Sequence, residues 1–283
     1  MDNISSIQDF ISCIKKVRES WGEIVRPWFR GEKESEKERP LLPKLYQKNY
    51  DENQLVQNFR MMAPIYGEFK TPHRGETDLW LFLMRHVGLP TRLLDWTEGA
   101  LIALFFAIND VKENENPVVW VLNPYELNHL SELKIKIKLK EQYNVNIEEL
   151  SFLKNNEFPL TWKKNLKLCP EIELPSLGFE NIRGAWEEDM PGLDLPVAIT
   201  PTYIHPRMAV QKSRFTIHGK KKESINELVN GSNILVKLKI NREQKIIEIL
   251  LEDLRLLGVS YSSLFPDLDG LAKELKTLWC QKD

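Results

Sequence analysis

Arg30, His86, Arg92, Asp95, Trp96, Thr97, Arg207 and Gln211 stand out in this 283-residue sequence because their types and settings suit chemistry better than packing. Five of them fall in one stretch, His86 to Ala107, which reads HVGLPTRLLDWTEGALIALFFA. It opens with a turn at Gly88, Leu89 and Pro90 and runs through a short segment, Thr91 to Trp96. It then passes into an apolar helix for which Thr97 is the expected N-cap. Arginine, aspartate and a polar-tipped aromatic are costly to bury unless paired. Here they lie where a core strand passes into a core helix. The helix N-terminus at such a junction offers free backbone N–H groups and a partial positive charge.

Each residue carries two readings. Arg30, followed by glycine, can aim a planar guanidinium at a phosphate or carboxylate, or form an internal pair with a carboxylate such as Asp95. Asp95 can accept from a ribose hydroxyl or stabilise a developing cationic ring. Alternatively, Asp95 and Thr97 cap the helix. Trp96 can stack on a flat ring or fill the core. His86 ends a helix, where an imidazole suits the C-terminal dipole or serves as a proton donor. Gln211 can complete a pocket or act as a buried amide closing backbone hydrogen bonds. Arg30, Arg92 and Asp95 are expected to line one cleft, since each is polar within an apolar strand.

The elements that position these residues follow from periodicity. Helices are expected over 4–20, closed by Gly22, and over 51–66 with Leu55, Phe59 and Met62 on one face. Others fall at 76–87, 97–109, 242–257 and 267–279. Strands are expected at Ile24 to Arg30, Pro117 to Asn123, Val197 to Tyr203, Arg214 to His218 and Asn233 to Ile240. The helix after Thr97 has almost no polar face, so it should be buried on a sheet containing Val118 to Leu122. Gly31 to Arg39 is polar and reads as a solvated loop. KIKIKLK, from Lys134 to Lys140, reads as an edge strand with lysines outward or as a basic ridge. A proline-rich stretch gives the span 130–196 the character of an irregular insertion within one domain over 1–283. The order implies an α+β class: a mixed, mostly antiparallel sheet with packed helices.

Composition narrows the function. Hydrophobic residues make up 42% and charged residues 28%, with a formal net charge of −2. There is thus no global electrostatic pull towards nucleic acid or an anionic membrane. Three scattered cysteines and five histidines show no metal-ligand spacing, so no metal is expected. No apolar run reaches the ~18 residues of a membrane span, and the N-terminus lacks a signal-peptide pattern. A cytoplasmic protein without membrane contact is expected.

Several blocks resemble a known family. GLPTRLLDWT with the following ALFFA helix is similar to the hallmark of the FRG domain family of bacteria and their phages. The tripeptide that names the family stands here within Trp28-Phe29-Arg30-Gly31-Glu32. HPRMAVQKSRFTIHG (His205 to Gly219) and SLFPDLDGLAKELK (Ser263 to Lys276) resemble its later blocks. More distantly, aromatic-Arg-Gly at Arg30 and the strand-to-helix passage at Thr91 to Thr97 resemble the Arg-Ser-Glu class of ADP-ribosyltransferases. That resemblance implies an ADP-ribosyltransferase-like core with NAD as substrate. Arg30 would hold a phosphate and Asp95 would serve the ribose, with His86, Arg92, Trp96, Thr97, Arg207 and Gln211 around the substrate. The serines of that class are absent here, and Arg207 stands where its catalytic glutamate would be. This leaves Asp95 as the substitute carboxylate, or the site as a binder without catalysis. Two functions follow: an effector in phage–host conflict that modifies a protein or nucleic acid, or a non-catalytic module sensing a phage protein or nucleic acid.

Overall fold

The computed structural model describes residues 3–22, 25–35, 38–48, 50–66, 71–73, 75–131, 195–219 and 221–280. Its sheet comprises β1 (Trp28–Glu34), β2 (Leu93–Thr97), β3 (Asn116–Leu122), β4 (Val197–Ile199), β5 (Ser213–Ile217) and β6 (Leu235–Lys239). They are ordered β4-β5-β2-β1-β3-β6, and every neighbouring pair is antiparallel. A single parallel bridge, Ile4 to Ile240, ties the N-terminal segment to the end of β6. The class is α+β, as expected. The segment 130–196, apart from its edges, and with it the Lys134–Lys140 alternation, lies outside the described residues.

Helices cover the sheet, and the short α2 (Lys44–Gln47) follows β1 in the chain. On one face, α1 (Ile7–Trp21) and α5 (Ala100–Ile108) pack with Phe29, Val119, Val121 and Leu238. The helix Gln244–Leu256 joins the same core through Ile247, Leu250 and Leu254. Ser6 caps α1 by accepting from the Asp9 N–H, and Gly22 ends it at φ +95, a backbone angle that favours glycine. Burial of α5 on β3 agrees with its lack of a polar face: Ala103, Leu104, Ala107 and Ile108 are inaccessible to solvent. The opposite face holds Trp28, Leu94, Trp96, Val118, Trp120 and Leu122. Side chains alternate along β1, so Phe29 and Gly31 meet α5 while Trp28 points away. At Gly31 the helix backbone comes so near that a Cβ would overlap the Ala103 carbonyl oxygen.

Besides β4, which ends at Ile199 rather than Tyr203, three features differ from expectation. β1 does not end at Arg30 but continues to Glu34, through residues expected in a solvated loop. Its glutamates are nearly buried because each is paired: Glu32 with Arg30 and Arg39, Glu34 with Lys237. Pairing removes the cost that makes a charge run look like surface. Thr97 closes β2 rather than capping α5, whose N-cap position is Gly99. The Thr97 hydroxyl accepts from the Gly99 N–H and donates to the Gln211 carbonyl, so it joins two segments instead. In α3 (Glu52–Met62) the buried apolar residue is Val56, while Met62 is exposed, because the helix turns the Glu52 side towards the body of the protein to meet Arg92.

Candidate ligand cleft

β1 and β2 are paired at one position only, Phe29 with Thr97. Beyond it the strands part, and a cleft of about 520 Å³ opens along the gap. Consecutive β1 residues from Phe29 to Lys33 line it, which only an open strand edge permits. α4 (Thr77–His86) contributes Arg85 and His86, β2 contributes Asp95 and Thr97, and the short helix Pro206–Val210 with the following turn contributes Arg207 and Gln211. Phe265 and Phe106 add apolar wall.

The floor is a charge cluster centred on Asp95. Arg85 grips the carboxylate with two donors, Nε at 2.9 Å from Oδ1 and a terminal nitrogen on Oδ2. Arg30 donates from Nη1 to the Asp95 backbone carbonyl at 2.6 Å, bridging the gap where the ladder fails, and lies 3.7 Å from Oδ2. Its other side is held by Glu32, which accepts from Nε at 2.6 Å. Desolvation pushes the Asp95 carboxyl upward, but the charge and hydrogen bonds of Arg85, with Arg30 behind it, outweigh this. Asp95 therefore titrates below the ordinary carboxylate value and is ionised at neutral pH. Its side chain is still 40% exposed towards the cleft. Arg85 is raised in turn, chiefly by the Asp95 charge.

On the opposite wall, the His86 ring lies against that of His205, with centroids 3.9 Å apart. Burial first, then His205 and Arg207, push His86 down to about 4, so it is neutral at physiological pH. His205 Nδ1 accepts from the Arg207 N–H, capping the helix that presents Arg207. Arg207 stacks over Phe265 at 5.0 Å and pairs with Asp267 at 2.6 Å. Gln211 donates to the Leu264 carbonyl at 3.0 Å, fastening this wall to the C-terminal region.

Seven of the eight residues singled out in the sequence therefore border one cleft: Arg30, His86, Asp95, Trp96, Thr97, Arg207 and Gln211. Arg92 does not, which corrects the expected trio. It stands three residues before Asp95 in extended chain, and an odd separation places two side chains on opposite faces. Arg92 instead pairs with Glu52, Nε donating to Oε1 at 2.8 Å, and sits beside His218. Trp96 also points away from the cleft. Its ring is in the core and its Nε1 donates to Thr216 Oγ1 at 3.2 Å, so stacking on a ligand is not available to it.

The residues that the sequence reading missed are Arg85, Lys33, Arg39 and Lys44. Arg85 adjoins His86 but lies ten residues from its partner Asp95, a spacing with no local signal. Lys33 and Arg39 were hidden in the charge run. With Arg30 and Arg207 they bring six cations to a cleft holding two carboxylates, Glu32 and Asp95. Lys33 and Lys44 have no partner among the described residues.

Fold and site together define an α+β domain with a cation-lined cleft where its antiparallel sheet splits. Residues 26–116 match the FRG domain family, so the chain carries an FRG domain. The matched span includes Arg30, Arg85, His86 and Asp95, whereas Arg207, Gln211 and Phe265 close the cleft from outside it. No curated protein and no solved structure matches the chain. Among the described residues, no helix is long and apolar enough to cross a membrane.

Proposed function

We propose that the cleft binds a nucleotide diphosphate of the NAD type and that the chain is an ADP-ribosyltransferase-like effector in phage–host conflict. The observation that carries this reading is the six cationic side chains lining one cleft of a chain whose formal net charge is −2. Such focused charge suits a ligand with adjacent phosphates. The volume, about 520 Å³, falls within the size range of small-molecule sites. The diphosphate lies towards Lys33, Arg39 and Lys44, whose donors are least committed. Asp95 keeps lone pairs for ribose hydroxyls, because among the described residues Arg85 holds its carboxylate at hydrogen-bond distance while Arg30 stands 3.7 Å off.

One observation favours a second reading. Arg30, Asp95, Arg85 and Glu32 satisfy one another without a ligand, and Arg207 stands where the transferase class has its glutamate. On that reading the cleft holds its ligand without chemistry and the chain is a sensing module. Calorimetric titration with NAD, ADP-ribose and inorganic pyrophosphate, alongside an assay for nicotinamide release, separates the outcomes. Binding with release supports the transferase, binding without release supports the sensor, and binding of none of the three removes both forms of the nucleotide reading.

A further inference from the structure

The hydrogen bonds of an antiparallel sheet leave each strand on alternate sides. β3 turns its odd-numbered residues to β6: the Ile240 N–H donates to the Pro117 carbonyl, and the Asn123 N–H to that of Ile234. Its even-numbered residues therefore bond to β1 at Trp28, Arg30, Glu32 and Glu34. The main-chain groups of Phe29, Gly31 and Lys33 point the other way, towards β2. Phe29 is paired there with Thr97, but Gly31 and Lys33 have no pair on β2. Among the described residues, no turn or loop bonds to their N–H or carbonyl groups either. Both residues are half-buried and line the cleft. Two donors and two acceptors thus face open space at a two-residue interval.

The outer edges of the same sheet are treated differently. Asn128 brackets β4, donating to the Ala198 carbonyl at 3.1 Å and accepting from its N–H at 2.7 Å. β6 is pinned beyond both ends, by Ile4 bonded to Lys239 and Asn241 and by Trp21 donating to the Asn233 carbonyl. Such coverings keep foreign strands off an edge. Among the described residues, no bracket of this kind covers Gly31 and Lys33.

We infer that this inner edge of β1 is a peptide site, which takes an extended, acidic segment of a protein partner as an added strand. Main-chain bonds to Gly31 and Lys33 hold the segment, and charge selects it. Lys33 lies on the edge itself, and Arg39 and Lys44 line the same cleft. Carboxylates on the added strand meet these cations, whereas a basic segment is repelled. The inference goes beyond the nucleotide reading and stands without it.

The test uses the full chain with a peptide of alternating valine and glutamate, and one of alternating valine and lysine as control. Amide exchange is followed by NMR. In the free protein the Gly31 and Lys33 amides should exchange fast, and those of Arg30 and Glu32, bonded to β3, slowly. The acidic peptide should slow Gly31 and Lys33 roughly tenfold or more, and the basic one should leave them unchanged. Fluorescence anisotropy then compares two variants. Lys33→Val removes the charge and keeps the N–H, while Lys33→Pro removes both. The proline variant should bind roughly fivefold to tenfold more weakly than the valine variant. Slow exchange at Gly31 and Lys33 in the free protein, no slowing at roughly millimolar acidic peptide, or equal binding by the two variants overturns the inference. Equal binding of the basic peptide overturns the acidic partner. Should Lys33→Pro lose its fold, the exchange pattern of the parent decides. A chain that binds pyrophosphate but not the acidic peptide keeps the nucleotide reading and overturns this one.

Discussion

Two arginine–carboxylate clusters flank the same strand, and they differ in what they can do. Arg92 and Glu52 lie on the side away from the cleft, with side chains 6% and 16% exposed. Around them His218 is wholly buried and Tyr46 donates to the His218 carbonyl at 3.2 Å. Every contact there is internal to the fold. The cluster of Arg30, Asp95 and Arg85, three residues further along, opens onto the cleft. The same residue types thus serve as a closed strut on one face of β2 and as an open floor on the other. Accessibility, rather than pairing, separates them, because both carboxylates have an arginine fork.

The comparison predicts effects of decreasing size. The largest belongs to the strut: Glu52→Gln takes the forked carboxylate away from a nearly buried guanidinium and should lower unfolding free energy by about 3–5 kcal/mol. Chemical denaturation checks this, and a loss under ~1 kcal/mol would break the distinction.

Acid titration gives the next effect. His218 is pushed down to about 3 by burial first and then by Arg92 and Arg30. Its folded value lies below the ordinary 6.5, so the unfolded chain takes up a proton first. The stability contribution is intact above pH ~6.5 and lost progressively towards pH ~3. His86, at about 4, adds a loss ending near that pH. Together they should remove several kcal/mol, and His218→Asn should flatten most of the slope. An anionic ligand in the cleft should raise His86 alone, which an NMR titration of the two ring signals would show.

A smaller effect is expected at the floor. Asp95→Asn deprives Arg85 of its partner, but the carboxylate is 40% exposed and solvent screens the vacancy. About 1–2 kcal/mol should be lost in thermal unfolding, with pyrophosphate bound more tightly because the floor becomes more positive. Weaker pyrophosphate binding would argue that the cleft is not an anion site. The smallest stability effect belongs to Lys33→Ala with Lys44→Ala. Among the described residues these side chains have no partner, so stability should move by less than ~0.5 kcal/mol. Pyrophosphate affinity should nonetheless fall at least tenfold, as read by calorimetry.

Much of this contrast was legible in the sequence, and the rest was not for physical reasons. The apolar periodicities located α1, α4 and α5 and the strands β3, β5 and β6, because each element buries one strong face. The stretch around Asp95 announced a site, since charges in an apolar run need partners. What the residues did not announce was which partner. Arg30 reaches Asp95 across a gap in the sheet, Arg85 comes from α4, and Arg92 falls on the other face through an odd spacing in extended chain. Glu32 and Glu34 concealed the second half of β1, since a paired glutamate and a solvated one look the same in sequence. Trp96 had equal claim to the core and to the site until Thr216 gave its N–H a partner.

The close approach at Gly31 has a consequence for assembly of the sheet. Where α5 presses on β1, a slip of one residue would put Arg30 or Glu32 where Gly31 now passes the Ala103 carbonyl, and neither side chain fits. The glycine therefore works as a registration mark: β1 can anneal to its neighbours at one offset only. Because Arg30 immediately precedes Gly31, this register also aims its guanidinium at β2. Misregistered pairings of β1, which would set a charge against helix backbone, are thereby disfavoured.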